Sequence, residues 1–174
     1  MKKITNVFAV ASVAVMALAV GFYAAGARVN TTKSIPVGLY WTAADPVQPG
    51  AYVMWCPVDG EPFASAKERG YIGAGFCQGS YGYMMKRILA AKGDRVTVSE
   101  SGVLVNGEEI PLSKPLTVDA AGRKLPVFRI ENHELKAGEL LLMSDVSGTS
   151  FDGRYYGLVD AAQVTTVIKP VFVW

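Results

Sequence analysis

Tyr83-Met84-Met85-Lys86-Arg87-Ile88-Leu89-Ala90 reads as a β-strand heading into a core, and Lys86 is the residue at odds with it. Side chains alternate faces along a strand, so Lys86 shares its face with Met84, Ile88 and Ala90. An ammonium is costly to desolvate, and a lysine relieves that cost by losing its proton. A neutral lysine is a general base, and such bases activate serines. The competing reading is a lysine that snorkels to the sheet edge, which periodicity alone does not separate from a buried one.

Working outward from this strand, the pattern stays mostly β. Val37–Thr42, Ala51–Cys56, Met84–Ala90, Arg95–Ser99, Val103–Val105, Val127–Ile130, Leu140–Met143 and Val164–Val173 read as strands. Turn signals such as Gln48-Pro49-Gly50 and Lys92-Gly93-Asp94 bound them. Asn106-Gly107 between two short β runs is a hairpin signal. One short helix is expected over Pro62–Arg69, ending near Gly70, and Gly73–Gly82 reads as a flexible loop. Many short strands with few helices predict a mainly β domain of antiparallel folded sheets or a barrel-like closure.

The first stretch stands apart. Lys2 and Lys3 precede an apolar run from Val7 to Ala27, roughly 20 residues and long enough to span a bilayer. The positive-inside rule keeps the two lysines cytoplasmic and sends the rest across. Ala25-Gly26-Ala27 also resembles a cleavage site, so residues 1–27 read as a retained membrane anchor or as a signal peptide. In both cases residues 28–174 form one domain that works outside the cytoplasm.

The formal charge of +2 is too small to argue for nucleic acid, and there is no basic stripe. Cys56 and Cys77 both fall in the exported part. In an oxidising compartment they are expected to form a disulfide, worth about 3 kcal/mol by loop entropy, with two buried free thiols as the alternative. Cys56, Cys77 and His133 lack paired ligand spacing, so no metal site is expected.

His133 is the single histidine and lies in Ile130-Glu131-Asn132-His133-Glu134, which reads as a solvated turn. That setting does not suit a Ser-His-Asp enzyme and leaves lysine as the base for a serine nucleophile. Lys33 diverges from its neighbour Ser34 on an extended segment, Lys92 reads as exposed, and Arg87 cannot be deprotonated in a protein. Lys86 remains. The best serine is Ser34, in Asn30-Thr31-Thr32-Lys33-Ser34-Ile35-Pro36-Val37-Gly38, where Pro36 favours an extended Ile35. By itself Ser34 also fits an ordinary turn serine. Thr32 brings a hydroxyl that suits, with the Ser34 backbone N–H, an oxyanion site. In Ser150-Phe151-Asp152-Gly153-Arg154, the spacing allows an Asp152–Arg154 ion pair on one side of an extended segment, or an ordinary polar loop.

Taken in order, these three segments resemble the type I signal peptidase superfamily of Ser-Lys serine peptidases, and most closely its TraF-type branch. The serine box runs from Asn30 to Trp41, the base box from Met85 to Asp94, and the last box from Met143 through Gly157. The resemblance implies a signal-peptidase fold with an N-terminal membrane helix. It implies Ser34 as nucleophile, Lys86 as general base and Asp152 as the required aspartate. Arg154 would pair with Asp152, Ser150 would hydrogen-bond the lysine, and Thr32 would contribute to the oxyanion hole. No cofactor is implied.

The implied partners are a pilin precursor, the bacterial inner membrane and other components of a conjugative transfer apparatus. The implied reaction is cleavage through a Ser34 acyl-enzyme with head-to-tail cyclisation of the pilin. A general leader peptidase and a non-catalytic subunit of the transfer channel are the alternatives. Val146-Ser147 stands where leader peptidases have Asn-Arg, which favours a dedicated substrate.

Overall fold

The computed structural model describes residues 2–174, with side chains from Phe8 onward. The elements in chain order are α1 (Lys2–Ala24), β1 (Ala27–Asn30), β2 (Gly38–Ala43), β3 (Tyr52–Trp55), α2 (Phe63–Glu68), β4 (Met84–Ala90) and β5 (Arg95–Val98). They continue with β6 (Val103–Val105), β7 (Glu108–Glu109), β8 (Ile130–Glu134), β9 (Glu139–Met143), α3 (Gly153–Tyr156), β10 (Val159–Asp160) and β11 (Val164–Val173).

The alternation read from the sequence is present along β4, where Met84, Lys86, Ile88 and Ala90 are buried and the residues between them are half-buried. β4 lies inside a seven-stranded sheet of order β1-β2-β11-β3-β4-β9-β10, and a second sheet of four strands runs β7-β6-β5-β8. Every pairing is antiparallel. The fold is therefore mainly β with folded antiparallel sheets. One core cluster packs Val53, Trp55, Phe63, Ile88 and Leu142 between the large sheet and α2. Another joins the sheets through Ala90, Val96, Val103, Leu141 and Met143. Burying side chains of this size contributes about 1.5–3 kcal/mol each.

The hairpin at Asn106-Gly107 forms between β6 and β7, with both residues at positive φ (54° and 85°), which is why glycine follows asparagine there. Cys56 and Cys77 are disulfide-bonded, with Cα atoms 5.4 Å apart, and so tie the loop carrying α2 back to the end of β3. Gly73–Gly82 is more ordered than its composition suggests. It folds back on itself through Gly82 N–H to the Gly73 carbonyl (2.7 Å) and Cys77 N–H to the Tyr81 carbonyl (3.0 Å).

Two other expectations need correction. Val127–Ile130 is not a strand: β8 begins only at Ile130. The Phe128 N–H donates to the Arg154 carbonyl (3.1 Å), so the segment before β8 is drawn onto the last box instead of into a sheet. His133 does not sit in a solvated turn but within β8, partly buried, opposite Val96. Its Nε2 lies 2.9 Å from Glu139 Oε2.

An N-terminal helix is present, and it leaves Phe8, Val10, Met16, Leu18 and Phe22 exposed. Among the described residues no helix is long and apolar enough to cross a membrane.

Candidate active site

Ser34 lies in the turn between β1 and β2. Asn30, buried at the end of β1, holds that turn in shape. Its Nδ2 donates to the carbonyls of Thr32 (2.7 Å), Ile35 (2.9 Å) and Pro36 (3.1 Å). Fully buried Ile35 plugs the turn into a small cluster with Tyr40, Met54 and Ile168. One side chain and one apolar plug thus fix the backbone that presents Ser34. The local signal for Asn30 is an asparagine opening a polar turn, where the side chain competes for backbone partners.

Lys86 enters from β4, where Val53 on β3 and the buried residues of its own face surround its stem. Its Nζ lies 2.8 Å from Ser34 Oγ and 3.0 Å from Ser150 Oγ. The lysine is 2% exposed. Burial lowers its pKa from the usual range to about 8, the nearby Asp152 carboxylate pushes it up, and the Arg154 guanidinium pushes it down. Desolvation dominates because the two neighbouring charges oppose each other.

Asp152 and Arg154 are both completely buried. Their pairing exists, but not on an extended segment as the spacing suggested. Asp152 is the N-cap of α3, accepting from the Arg154 N–H, and Arg154 stands in the first turn. Arg154 Nε donates to Asp152 Oδ1 and Nη2 to Oδ2, each at 2.7 Å, a bidentate pair. The remaining guanidinium hydrogens go to the carbonyls of Leu112 (3.0 Å), Gly148 (2.8 Å) and Ser150 (3.1 Å). Asp152 Oδ2 also accepts from the Ser144 N–H (3.1 Å). The pair therefore stitches the 144–150 loop to α3 and sets where Ser150 meets Lys86. Gly153 has no side chain because a Cβ there would meet Leu141 Cδ1 at 2.8 Å and the Leu142 carbonyl at 3.0 Å.

Thr32 is close to Ser34, but its hydroxyl donates to Asn30 Oδ1 (3.0 Å) and its N–H to the same oxygen (3.2 Å). In this conformation its proton is committed to the turn. A second charge cluster carries no local signal in the sequence. Asp145 accepts from Tyr52 Oη and Arg87, both at 2.9 Å, and braces the outer face of β4 beside the lysine.

Two cavities meet at Ser34. The smaller, about 230 Å³, is lined by Thr31, Tyr83, Met84, Met85 and Lys86 among others. The larger, about 560 Å³, is lined by Leu116, Val118, Leu125, Ser150 and Phe151 among others. Thr32, Ser34, Tyr71 and Phe151 belong to both. Tyr71 carried no local signal, since it reaches the cleft only through the path of the loop closed by Cys56 and Cys77. His133 lines neither cavity.

A serine whose hydroxyl touches a buried lysine, where two cavities meet, defines a class of hydrolytic site. The sequence relationships agree with that class. The family model described as "Signal peptidase, peptidase S26" matches residues 2–174. A plasmid transfer protein TraF of Escherichia coli is 60% identical over 174 residues, covering all of this chain and 98% of the relative. A conjugal transfer protein TraF of Agrobacterium fabrum is 33% identical over 150 residues, 84% of this chain and 82% of the relative. Among solved structures, a signal peptidase I from Enterococcus faecalis aligns with a TM-score of 0.38 at 16% identity, covering 73% of this chain and 100% of the other. The chain belongs to the S26 signal peptidase family of serine peptidases, among the TraF proteins.

Proposed function

We propose that this chain is a membrane-anchored serine endopeptidase of a conjugative transfer apparatus, which cuts a pilin precursor through an acyl-enzyme at Ser34. The observation that carries the reading is the position of Lys86 Nζ, buried and 2.8 Å from Ser34 Oγ. An unperturbed lysine is neutral about once in a thousand molecules at pH 7.5. With a pKa of about 8, roughly one in four is neutral at that pH. Neutral Lys86 takes the Ser34 proton as Oγ attacks the peptide carbonyl. The oxyanion is met by the Ser34 N–H, with Thr32 joining once its hydroxyl turns from Asn30, a change that costs about 1 kcal/mol for the lost hydrogen bond. Collapse expels the amine, which takes a proton from the Lys86 ammonium.

The TraF relatives carry "transfer" in their names, which supports a conjugative role. Resolution of the ester by the substrate's own α-amine gives a cyclic pilin, and resolution by water gives a linear one. The apolar run from Val7 to Ala27 supports an anchor in the inner membrane, and β1 begins at the last residue of that run, which supports a site at the periplasmic surface. Recovery of the protein in the membrane fraction after alkaline carbonate extraction supports the anchor, and release removes it.

Mass spectrometry of the pilin in cells tests the reaction. Ser34→Ala and Lys86→Ala are each expected to accumulate uncut precursor, and normal maturation in either variant overturns the reading. If wild-type cells contain only linear product, the cyclising step falls and the peptidase remains.

A further inference from the structure

The outer wall of the larger cavity is a hairpin that makes no sheet of its own. Val118 and Lys124 form a single bridge, the Asp119 N–H donates to the Arg123 carbonyl (2.9 Å), and the Leu125 N–H donates to the Thr117 carbonyl (3.0 Å). The hairpin is held to the rest of the molecule at a few points. Tyr71 Oη donates to Asp119 Oδ2, Arg69 Nη1 donates to the Lys124 carbonyl (2.6 Å), and the Leu116 N–H donates to Tyr155 Oη (2.9 Å). The Asp119 carboxylate also accepts from Arg123 Nε (2.6 Å) and from the N–H groups of Ala121 and Arg123. Its bond from Tyr71 is the largest cause of an Asp119 pKa held well below the usual carboxylate range.

The wall presents apolar side chains to an open space. Leu116 is 42% exposed and Val118 46%, and both line the cavity with Leu125 and Phe151. Exposed apolar groups converging on a nucleophile mark a surface that a ligand covers. The volume of about 560 Å³ lies within the range of pockets that bury such ligands, about 300–1,000 Å³. The two cavities also differ in which member of the site they reach. Ser150 lines the larger and Lys86 the smaller, and the lysine is bonded to Ser150 Oγ. A nitrogen on the side of the larger cavity therefore meets a hydroxyl already in contact with the base. The smaller cavity, about 230 Å³ and lined by Met84 and Met85, suits the small side chains of an acyl chain.

We propose that the larger cavity is the amine-side subsite, holding the apolar peptide segment whose nitrogen departs from the scissile carbonyl carbon or attacks the Ser34 ester, with the Tyr71–Asp119 bond positioning the wall. This deepens the acyl-enzyme reading above and rests on it. In the second half-reaction the α-amine nitrogen attacks the ester carbonyl, the bond from carbon to Ser34 Oγ breaks, and an amide forms. Neutral Lys86 accepts the proton that the amine loses and returns it to Ser34 Oγ, so no other reagent is consumed. A peptide seated against Leu116 and Val118 also displaces water from the ester.

The experiment uses the full chain in detergent. Acetyl-trialanine p-nitrophenyl ester acylates the enzyme, leucyl-leucinamide or glycinamide competes with water, and mass spectrometry counts amide against acid. Wild type is expected to give an amide-to-acid ratio about tenfold higher with the apolar dipeptide amide than with glycinamide. Tyr71→Phe and Asp119→Asn are each expected to lower the ratio for leucyl-leucinamide about fivefold. Val118→Trp, at an exposed hairpin position that tolerates bulk, is expected to erase the preference. Equal ratios for the two amines in wild type, or a preference that survives Val118→Trp, overturn the subsite. Absence of an acyl group on Ser34 in the quenched enzyme overturns the acyl-enzyme reading itself, and the subsite falls with it.

Discussion

Lys86 Nζ lies 2.8 Å from Ser34 Oγ although their strands are not neighbours. Ser34 follows β1 and precedes β2, and in the sheet order β2 and β4 are separated by β11 and β3. Three strand spacings in a flat sheet amount to about 14 Å, farther than a lysine reaches. The turn over residues 31–37 that carries Ser34 must therefore reach back across the sheet, with the twist of the strands, to meet the lysine. Because the lysine arrives through the core, its side chain is stripped of water on the way, and the same packing that positions the base lowers its pKa.

Activity should follow the neutral fraction of Lys86. With a pKa of about 8, kcat/KM is expected to fall about tenfold for each pH unit below that value and to level off above it. A pH–rate profile on a peptide substrate checks the acid limb. Lys86→Arg is expected to lose on the order of a thousandfold at every pH, since a guanidinium stays protonated. An acid limb that survives in Lys86→Arg would assign it to another group.

Lys86→Met should make the fold more stable at pH 7 while abolishing turnover. Below pH 8 the folded wild type carries a buried ammonium that the unfolded chain keeps solvated. Between about 8 and 10.5 the unfolded chain binds more protons than the folded one, so wild-type stability climbs with pH through that window. The advantage of the methionine variant is thus expected at pH 7 and should shrink towards pH 10.5, as read by urea denaturation at both ends. A gap that grows with pH contradicts this.

Asp152→Asn leaves Arg154 charged and unpaired in a site with no solvent. Breaking a buried pair of this kind costs about 3–5 kcal/mol. Asp152 also raises the Lys86 pKa while Arg154 lowers it, so in the variant the acid limb of whatever activity remains should move to lower pH. Denaturant midpoints give the first outcome and the pH profile gives the second. A limb moving upward would rule out this balance of charges.

His133→Ala should leave peptidase activity within about twofold and stability within about 1 kcal/mol, because its pairing with Glu139 is partly exposed and His133 stands on β8, in the sheet that carries neither Ser34 nor Lys86. Loss of turnover in this variant would reinstate a histidine base.

The strand around Lys86 was legible because alternation is a local property: Met84, Ile88 and Ala90 are in the same few residues, and nothing distant is needed to place them on one face. The Asn106-Gly107 turn was legible for the same reason, since its backbone angles are chosen by those two residues. The helix between the cysteines also showed itself, with Phe63–Glu68 lying inside the expected stretch. Ser34, Thr32, Ser150, Asp152 and Arg154 could be singled out because their boxes resemble a known pattern, not because any one of them is unusual.

By itself, then, the sequence determined a mainly β chain, an apolar N-terminal stretch and a lysine on the wrong face of a strand. The tertiary structure decided what that lysine touches. It placed His133 in a strand, set Asp152 at a helix N-cap, turned the Thr32 hydroxyl to Asn30 and brought Tyr71 between two cavities. Each depends on where chain segments dozens of residues apart come to rest, and local pattern carries no information about distances across a folded sheet. Burial, and with it the lowered pKa of Lys86, belongs to the assembled core alone.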